Sequence, residues 1–554
     1  MIHKAHLPYV YPLNKTTLRV RLITKKQLTI YVIHKNIYNH DASIYQKEKM
    51  KLIFVHDSHY YYEADCSNDH GYFKYCFLIA DDEGYYFNSE GINKELNLKE
   101  FFHYPVINEA DIIKVPDFYQ GALYYQVLID RFYQGKIRTN FHDLKDIKEK
   151  PDRNTYYGGN YQGLQEKLPY IKKLGANVLV LSPLFLSPTY HKYDIKDYYQ
   201  IDDIYGSVED LKSLIEECHQ IGMKVIFDGV FNHLSNENEL FKDVILKQDK
   251  SRYREWFYLD EFPVDEQKVN YDTFGNRLVG SMPRLNTNND EVIDYLTKAS
   301  IYWMKILNFD GWRLDVYDEV SPKFWRYFKK EVIKQNSNAI LIGEVWTPAE
   351  RWLDGTQMDT MTNYRFRTYL LELFEGKISV KSFWDKTKKY YANYPSIYYN
   401  YFVNVLGSHD TIRIAELFEL EKIKLINVLL LTFPGSPMIY YGDELYLKGD
   451  VDPDNRRAMR FDYLNDEKKR CLFDLLCELG KLRQKDVIKK GTLKILDYGN
   501  NCLAYERIYQ NEIIGVIINL GEEIKISDKE VLLTNKTRKD YLKKYQYLIY
   551  KGEE

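Results

Sequence analysis

No stretch of this 554-residue chain reaches the run of about 18 apolar residues that a membrane-spanning helix needs, so no membrane partner is expected. The opening MIHKAHLPYVYPLNKTT has no apolar core of the secretory kind, and a cytoplasmic protein is expected. Cysteine is sparse. Cys66, Cys76, Cys218, Cys471, Cys477 and Cys502 are scattered and never form a Cys-x-x-Cys pair. That argues against a zinc site and against a disulfide framework, and leaves reduced thiols as the simpler reading. Neither sign of charge dominates: the net charge is −3, which points away from nucleic acid and from an anionic membrane surface. The 52 tyrosines accompany many Lys, Ile and Asn, so they read as chain-wide composition rather than as a sugar-binding face.

What is present is organised in three textures. A chain of this length divides into roughly three or four domains. Residues 1–115 read as an N-terminal β-sandwich: TTLRVRLIT, QLTIYVIH, KLIFVH and YFKYCFLIA are β-rich runs parted by polar turns. From about residue 122 strands alternate with amphipathic helices, the pattern of parallel strands with crossover helices. The strands are LYYQVLID (123–130), NVLVLSP (177–183), KVIFDGV (224–230), GWRLDV (311–316), AILIGEVW (339–346), DTMTNY (359–364), FVNVLGS (402–408) and PMIYYGDE (437–444). EDLKSLIEECHQIG (209–222) and DEVIDYLTKASIYWMKILN (290–308) are the plainest helices between them. Eight strands with intervening helices predict an α/β fold, a (β/α)8 TIM barrel over 116–487. Residues 231–289 are too long for a simple connection and carry no strong helix pattern, so an inserted domain is expected after the third strand. Residues 488–554 return to short β-runs, a C-terminal β-sandwich.

In such barrels the chemistry sits at the C-terminal ends of the strands. Strand three ends Asp228-Gly-Val-Phe-Asn232-His233, and strand four delivers Arg313 and Asp315. Strand five ends Gly343-Glu344-Val-Trp346, and strand seven Gly407-Ser408-His409-Asp410. An isolated Arg-x-Asp on one strand face is an ordinary structural ion pair. Acids converging from several strands on one barrel end are not. Two carboxylates of opposite protonation state are what glycoside hydrolysis uses, one to attack the anomeric carbon and one to protonate the leaving oxygen. Asp315, with Arg313 to keep it ionised, suits the first role. Glu344, beside Val345 and Trp346, suits the second, because apolar surroundings raise a carboxyl pKa.

DGVFNH, GWRLDVYDE, GEVW and LGSHD resemble, in order, the four signature regions of the α-amylase family of glycoside hydrolases. YYGGNYQGLQEKLPYIKKLGANVLVLSP, HKYDIKDYYQID and FPGSPMIYYGDE extend the likeness over the whole barrel. MPRLN (282–286) is similar to the MPKLN-type region of the neopullulanase, cyclomaltodextrinase and maltogenic amylase branch. YVYPLNKTTLRVRLITKK resembles the start of that branch's N-terminal starch-binding-like domain. The resemblance implies Asp315 as nucleophile, Glu344 as general acid/base and Asp410 as the carboxylate that binds and distorts the sugar. It implies that Arg313 orients Asp315 and that His233 and His409 bond sugar hydroxyls. Tyr193 would stack on the ring, and Asp452 and Arg456 would grip its far edge. It further implies a retaining hydrolase of α-1,4-glucans, with cyclodextrins and short maltodextrins as substrates, and a homodimer formed through residues 1–115. A transglycosylase or an α-1,6-selective relative uses the same acids. A catalytically dead glucan-binding member would have lost one of them, and all three are present.

One region departs from the branch. Relatives often carry an Asn-Gly-Asp-x-x-Asn-Asp calcium loop after the first strand, where this chain has Gln134, Lys136, Thr139 and Asn140. Gly158-Gly159-Asn160 likewise replaces Gly-Gly-Asp downstream. Calcium wants six to eight oxygens, many of them anionic, so no metal and no cofactor is expected.

Overall fold

The computed structural model describes every residue except 40, 42, 43, 57, 82, 83, 137–143, 539 and 554. It falls into two compact units.

The first unit is Met1–Val115 with Ala349–Gln357 and Lys381–Tyr399. Met1–Val115 contains two antiparallel sheets. One runs Val10–Asn14, Thr17–Thr24, His59–Ser67, Lys51–His56; the other is built around Ile30–Lys35 and Phe73–Ile79. Side chains alternate across a strand, so Leu18, Val20 and Leu22 meet Ile30, Val32, Phe73 and Phe77 in one core. Arg21 lies on the other face of that first sheet, where a charge should meet water, yet is 1% exposed. Its guanidinium donates to Glu63 Oε1 (2.6 and 2.9 Å) and to the Ala392 carbonyl (2.7 Å). A buried charge has to be paired and hydrogen-bonded in this way. Helix Val380–Ala392 and the residues after it therefore cover a sheet face of the N-terminal module.

The second unit holds the barrel. Its strands are β1 (Tyr124–Val127), β2 (Val178–Leu181), β3 (Lys224–Gly229), β4 (Gly311–Leu314), β5 (Ile340–Gly343), β6 (Thr360–Met361), β7 (Val403–Val405) and β8 (Ser436–Tyr440). Each pairs in parallel with its neighbour from β1 through β6, and β8 lies between β1 and β7. A parallel bridge from Thr362 to Val403 closes the ring between β6 and β7. The expected (β/α)8 barrel is present. The first strand is shorter than its sequence run, because Ile129–Phe132 turns into a short helix.

Helix Val208–Gln220 starts at Ser207, whose side chain caps the Asp210 amide while Asp210 bonds back to the Ser207 amide. It buries Leu211, Leu214, Ile215 and Cys218 along one stripe. Between β3 and β4 the excursion contains a nine-residue helix, Glu239–Lys247, where the sequence suggested none. Only Phe241 and Val244 of it are buried, too few to print a helical period. A two-stranded piece, Phe185–Leu186 with Asp197–Ile201, follows β2. The chain ends in a five-stranded sheet, Thr492–Ile495 to Glu530–Thr534, with a small two-stranded companion. Among the described residues no helix is long and apolar enough to cross a membrane.

Candidate active site

β4 opens on Gly311 (φ +156°), where a Cβ would lie 2.2 Å from the Ile340 carbonyl oxygen. Only glycine admits β5 so closely. The strand then sends Trp312 outward against Phe227, Phe231, Phe309 and Phe328, and Arg313 inward. Asp228 on β3 is register partner to Arg313.

Arg313 is the hub of the site. Its Nη1 donates to Asp228 Oδ1 (2.8 Å) and Oδ2 (3.1 Å) and to Asp315 Oδ1 (2.8 Å). Its Nη2 lies 2.8 Å from Glu344 Oε1. Carboxylates from three consecutive strands thus share one buried guanidinium. Glu344 also accepts from the Val316 amide (3.0 Å) and from the Trp346 indole (3.2 Å).

Burial pushes the Glu344 carboxyl up; Arg313 pulls it back and Asp410 adds to the rise. Burial also holds Asp315 well above the usual carboxylate range, with Arg313 opposing and Glu344 and Asp228 reinforcing. Here the structure differs from the sequence reading, in which Arg313 serves Asp315 alone. One cation is shared by three buried acids, and burial raises both Asp315 and Glu344 against its pull.

Asp410 sits in the opposite electrostatic setting. Burial raises it, but His409 (Nε2 to Oδ2, 3.0 Å), Arg456 and Arg313 outweigh that and hold it well below the usual range. Arg456 reaches Asp410 Oδ1 at 3.3 Å, Asp452 Oδ1 at 3.2 Å and the Tyr190 hydroxyl at 3.2 Å.

Tyr193 joins the two halves. Its hydroxyl donates to Asp228 Oδ2 (2.8 Å) and its ring stacks on His409, 5.0 Å away and 16° from parallel. His233 is fully buried beside Phe274, and burial lowers its pKa to about 4, so it is neutral at pH 7. His233 has a backbone hydrogen bond at Tyr193, and His409 Nδ1 has no hydrogen-bond partner among the described residues. Buried polar atoms without partners belong to a site built for a polar ligand.

All nine residues singled out in the sequence therefore gather at one end of the barrel. Two were passed over. Asp228 heads the DGVFNH stretch and is Arg313's bidentate partner. Trp346, 45% exposed, lies flat on Tyr364 with rings 3.7 Å apart and 8° from parallel, an aromatic platform beside Glu344. Its signal was its place in GEVW.

Of the degenerate calcium loop, Gln134 and Lys136 are exposed, and Thr139 and Asn140 lie outside the described residues. Asn160 Oδ1 accepts from the Gly163 amide (2.7 Å) and the Gly135 amide (3.1 Å), and Asp130 Oδ1 from the Tyr157 (3.0 Å) and Gly158 (3.1 Å) amides. Both of these oxygens are engaged by backbone donors.

Residues 126–474 match the α-amylase catalytic domain, and residues 1–108 the α-amylase N-terminal Ig-like domain. The chain belongs to the α-amylase family. It is 34% identical to a cyclomaltodextrinase of Thermoanaerobacter pseudethanolicus over 98% of this chain and 95% of that protein. It is equally 34% identical to neopullulanase 2 of Thermoactinomyces vulgaris, over 94% and 90%. A solved cyclomaltodextrinase superposes with a TM-score of 0.89 at 31% identity, covering 99% of both chains. This α-amylase family member is accordingly a retaining glycoside hydrolase.

Proposed function

We propose that the chain cleaves α-1,4-glucosidic bonds, and also α-1,6 bonds, in cyclodextrins, maltodextrins and pullulan. The observation that carries this is the division of the acids: Asp228, Asp315 and Glu344 on one guanidinium, Asp410 against Arg456 and His409. The proton for the leaving group belongs on Glu344, whose burial raises its carboxyl pKa. Asp315 attacks the anomeric carbon as the bond to the leaving oxygen breaks, and Glu344 gives its proton to that oxygen. Glu344, now a carboxylate, then takes a proton from water, whose oxygen displaces Asp315 from the sugar. Asp410, His233 and the unpartnered Nδ1 of His409 bond the sugar hydroxyls, Tyr193 stacks on its ring, and Asp452 with Arg456 holds the far edge.

No calcium is assigned to the 130–140 loop; the exposed Lys136 and the engaged oxygens of Asn160 and Asp130 support that. The chain is assigned to the cytoplasm, as its six unbridged cysteines favour. It is assigned as a homodimer through the N-terminal module. There the edge strand Lys51–His56 leaves Leu52 and Ile53 each 40% exposed, an unpaired apolar edge suited to a second copy. The domain division 1–115, 116–487 with its excursion at 231–289, and 488–554 belongs to the same proposal.

Chromatography of the products from β-cyclodextrin, pullulan and starch tests the substrate assignment. Linear maltose and glucose from the ring support it. Coupled products longer than the substrate, or cleavage confined to α-1,6 bonds, favour the transglycosylase or α-1,6-selective alternative.

A further inference from the structure

The MPRLN pentad at 282–286 takes no part in the chemistry above, yet its arginine stands where three separate stretches meet. Arg284 Nε donates to Asn232 Oδ1 (3.2 Å), just past β3 and next to His233. Nη1 donates to Asp272 Oδ2 (3.0 Å), inside the excursion. Nη2 donates to the Glu319 carbonyl (2.7 Å), four residues after Asp315. Asn232 Nδ2 closes the circuit by donating to Glu319 Oε2 (3.2 Å). The backbone follows the same path. Arg284 and His233 form an antiparallel bridge, Leu285 N donates to Asn232 O (2.9 Å), and Arg284 N to Asp272 O (2.9 Å). Two residues beyond Asp272, the Phe274 ring lies 4.9 Å from that of His233.

We propose that Arg284 is a positioning residue that sets how the 231–289 excursion stands against the strand ends carrying His233 and Asp315, and thereby the preference for cyclic over small substrates. The proposal rests on the α-glucan reading of the site. A guanidinium is a planar fork with five donors, and here it serves three acceptors on three stretches at once. A lysine ammonium at the same place is a point charge on a flexible stem and cannot hold all three. Arg284 and Asp272 are part-exposed (28% and 27%), so the bonds do little for stability and mainly define geometry. A small glycoside is held by the residues at the strand ends. A ring is wide enough to touch the excursion as well, and feels where it stands.

The experiment compares the full-length chain with Arg284→Lys, Arg284→Met and Asp272→Asn, measuring KM and kcat separately on β-cyclodextrin and p-nitrophenyl α-maltoside, with thermal midpoints. Arg284→Met should raise KM for β-cyclodextrin about tenfold, the worth of one charge-assisted hydrogen bond. Turnover of the nitrophenyl glycoside should stay within about twofold, the signature of lost ground-state contacts to the larger ligand. Arg284→Lys should fall between, and Asp272→Asn added to Arg284→Met should cost little more, because the two share one interaction. Equal losses on both substrates, or a lowered midpoint with the substrate ratio unchanged, would make Arg284 a structural staple and overturn the proposal. If the wild-type chain cuts the glycoside but not β-cyclodextrin, the substrate reading fails instead, and the ratio is taken with maltoheptaose.

Discussion

Asp228 and Arg313 face each other on adjacent strands, and Asp228 gives both of its carboxylate oxygens to the same guanidinium nitrogen, at 2.8 and 3.1 Å. The pair leaves Arg313 with Nη1 divided between Asp228 and Asp315, and Nη2 for Glu344. No neighbouring acid has the cation to itself. The pocket's protonation is thus a property of the cluster rather than of any one residue.

The two reacting acids separate by leaving group. Glu344→Gln should lose on the order of a thousandfold or more in kcat on maltodextrins, because an amide cannot protonate a poor leaving group. On an α-glucosyl fluoride, whose leaving group needs little protonation, formation of the covalent intermediate should largely survive. Asp315→Asn should fail on both, since no nucleophile remains. Activity of Asp315→Asn on the fluoride would reverse the assignment.

The pH profile reports the acid cluster in which Glu344 holds its proton. Burial raises its pKa, and an acid catalyst is active while it holds its proton, so the alkaline limb of kcat/KM lies above the ordinary carboxylate range. The Trp346 indole donates to Glu344 Oε1 and favours the ionised form. Trp346→Phe removes that donor, so the limb should move to higher pH, by up to about one unit. A limb that stays put or moves down would show that the hydrogen bond does not tune Glu344.

Stability should be indifferent to chelators. The stretches 129–135 and 157–163 are tied by hydrogen bonds to Asn160 and Asp130. Asn160→Ala leaves the buried Gly163 amide and the part-buried Gly135 amide unpaired, costing about 1–3 kcal/mol and lowering the thermal midpoint by several degrees. EDTA should change neither the wild-type midpoint nor its activity. A drop of about ten degrees in EDTA, restored by calcium, would place a metal in the molecule.

Assembly is read by sedimentation. The intact chain should run as a dimer, with β-cyclodextrin favoured over starch in kcat/KM. Removing residues 1–115 strips the partner of the buried Arg21–Glu63 pair from segment 381–399, so that truncation should be poorly soluble. The cleaner variant is Leu52→Lys with Ile53→Lys on the exposed edge strand, which should dissociate the dimer without unfolding it. A wild-type monomer at micromolar concentration, or a dissociated variant with an unchanged preference, would leave the N-terminal module without a role in selectivity.

The strand signal was legible wherever apolar residues ran together: seven of the eight barrel strands fall within the runs read from the sequence, β8 begins one residue ahead of its run, and β6 shrinks to two residues. The helix Glu239–Lys247 was not, because only two of its residues face a core. Asp228 was visible at the end of β3, but nothing in its local pattern tells that Arg313, 85 residues on, would bind it bidentately.

The sequence by itself determined which residues reach the catalytic end of the barrel. Asp315 two residues after Arg313, Glu344 directly after β5 and Asp410 five after β7 are local facts of strand parity and strand termini. It also determined the family, through short motifs that survive in order. Only the tertiary structure decided how those residues are charged and held. Glu344 rises because burial outweighs the pull of Arg313, and Asp410 falls because His409, Arg456 and Arg313 outweigh its burial. Segment 381–399 joins the N-terminal module because Arg21, buried on a sheet face, needs the Ala392 carbonyl. Burial and electrostatic balance are sums over elements far apart in the chain, and no local pattern contains them.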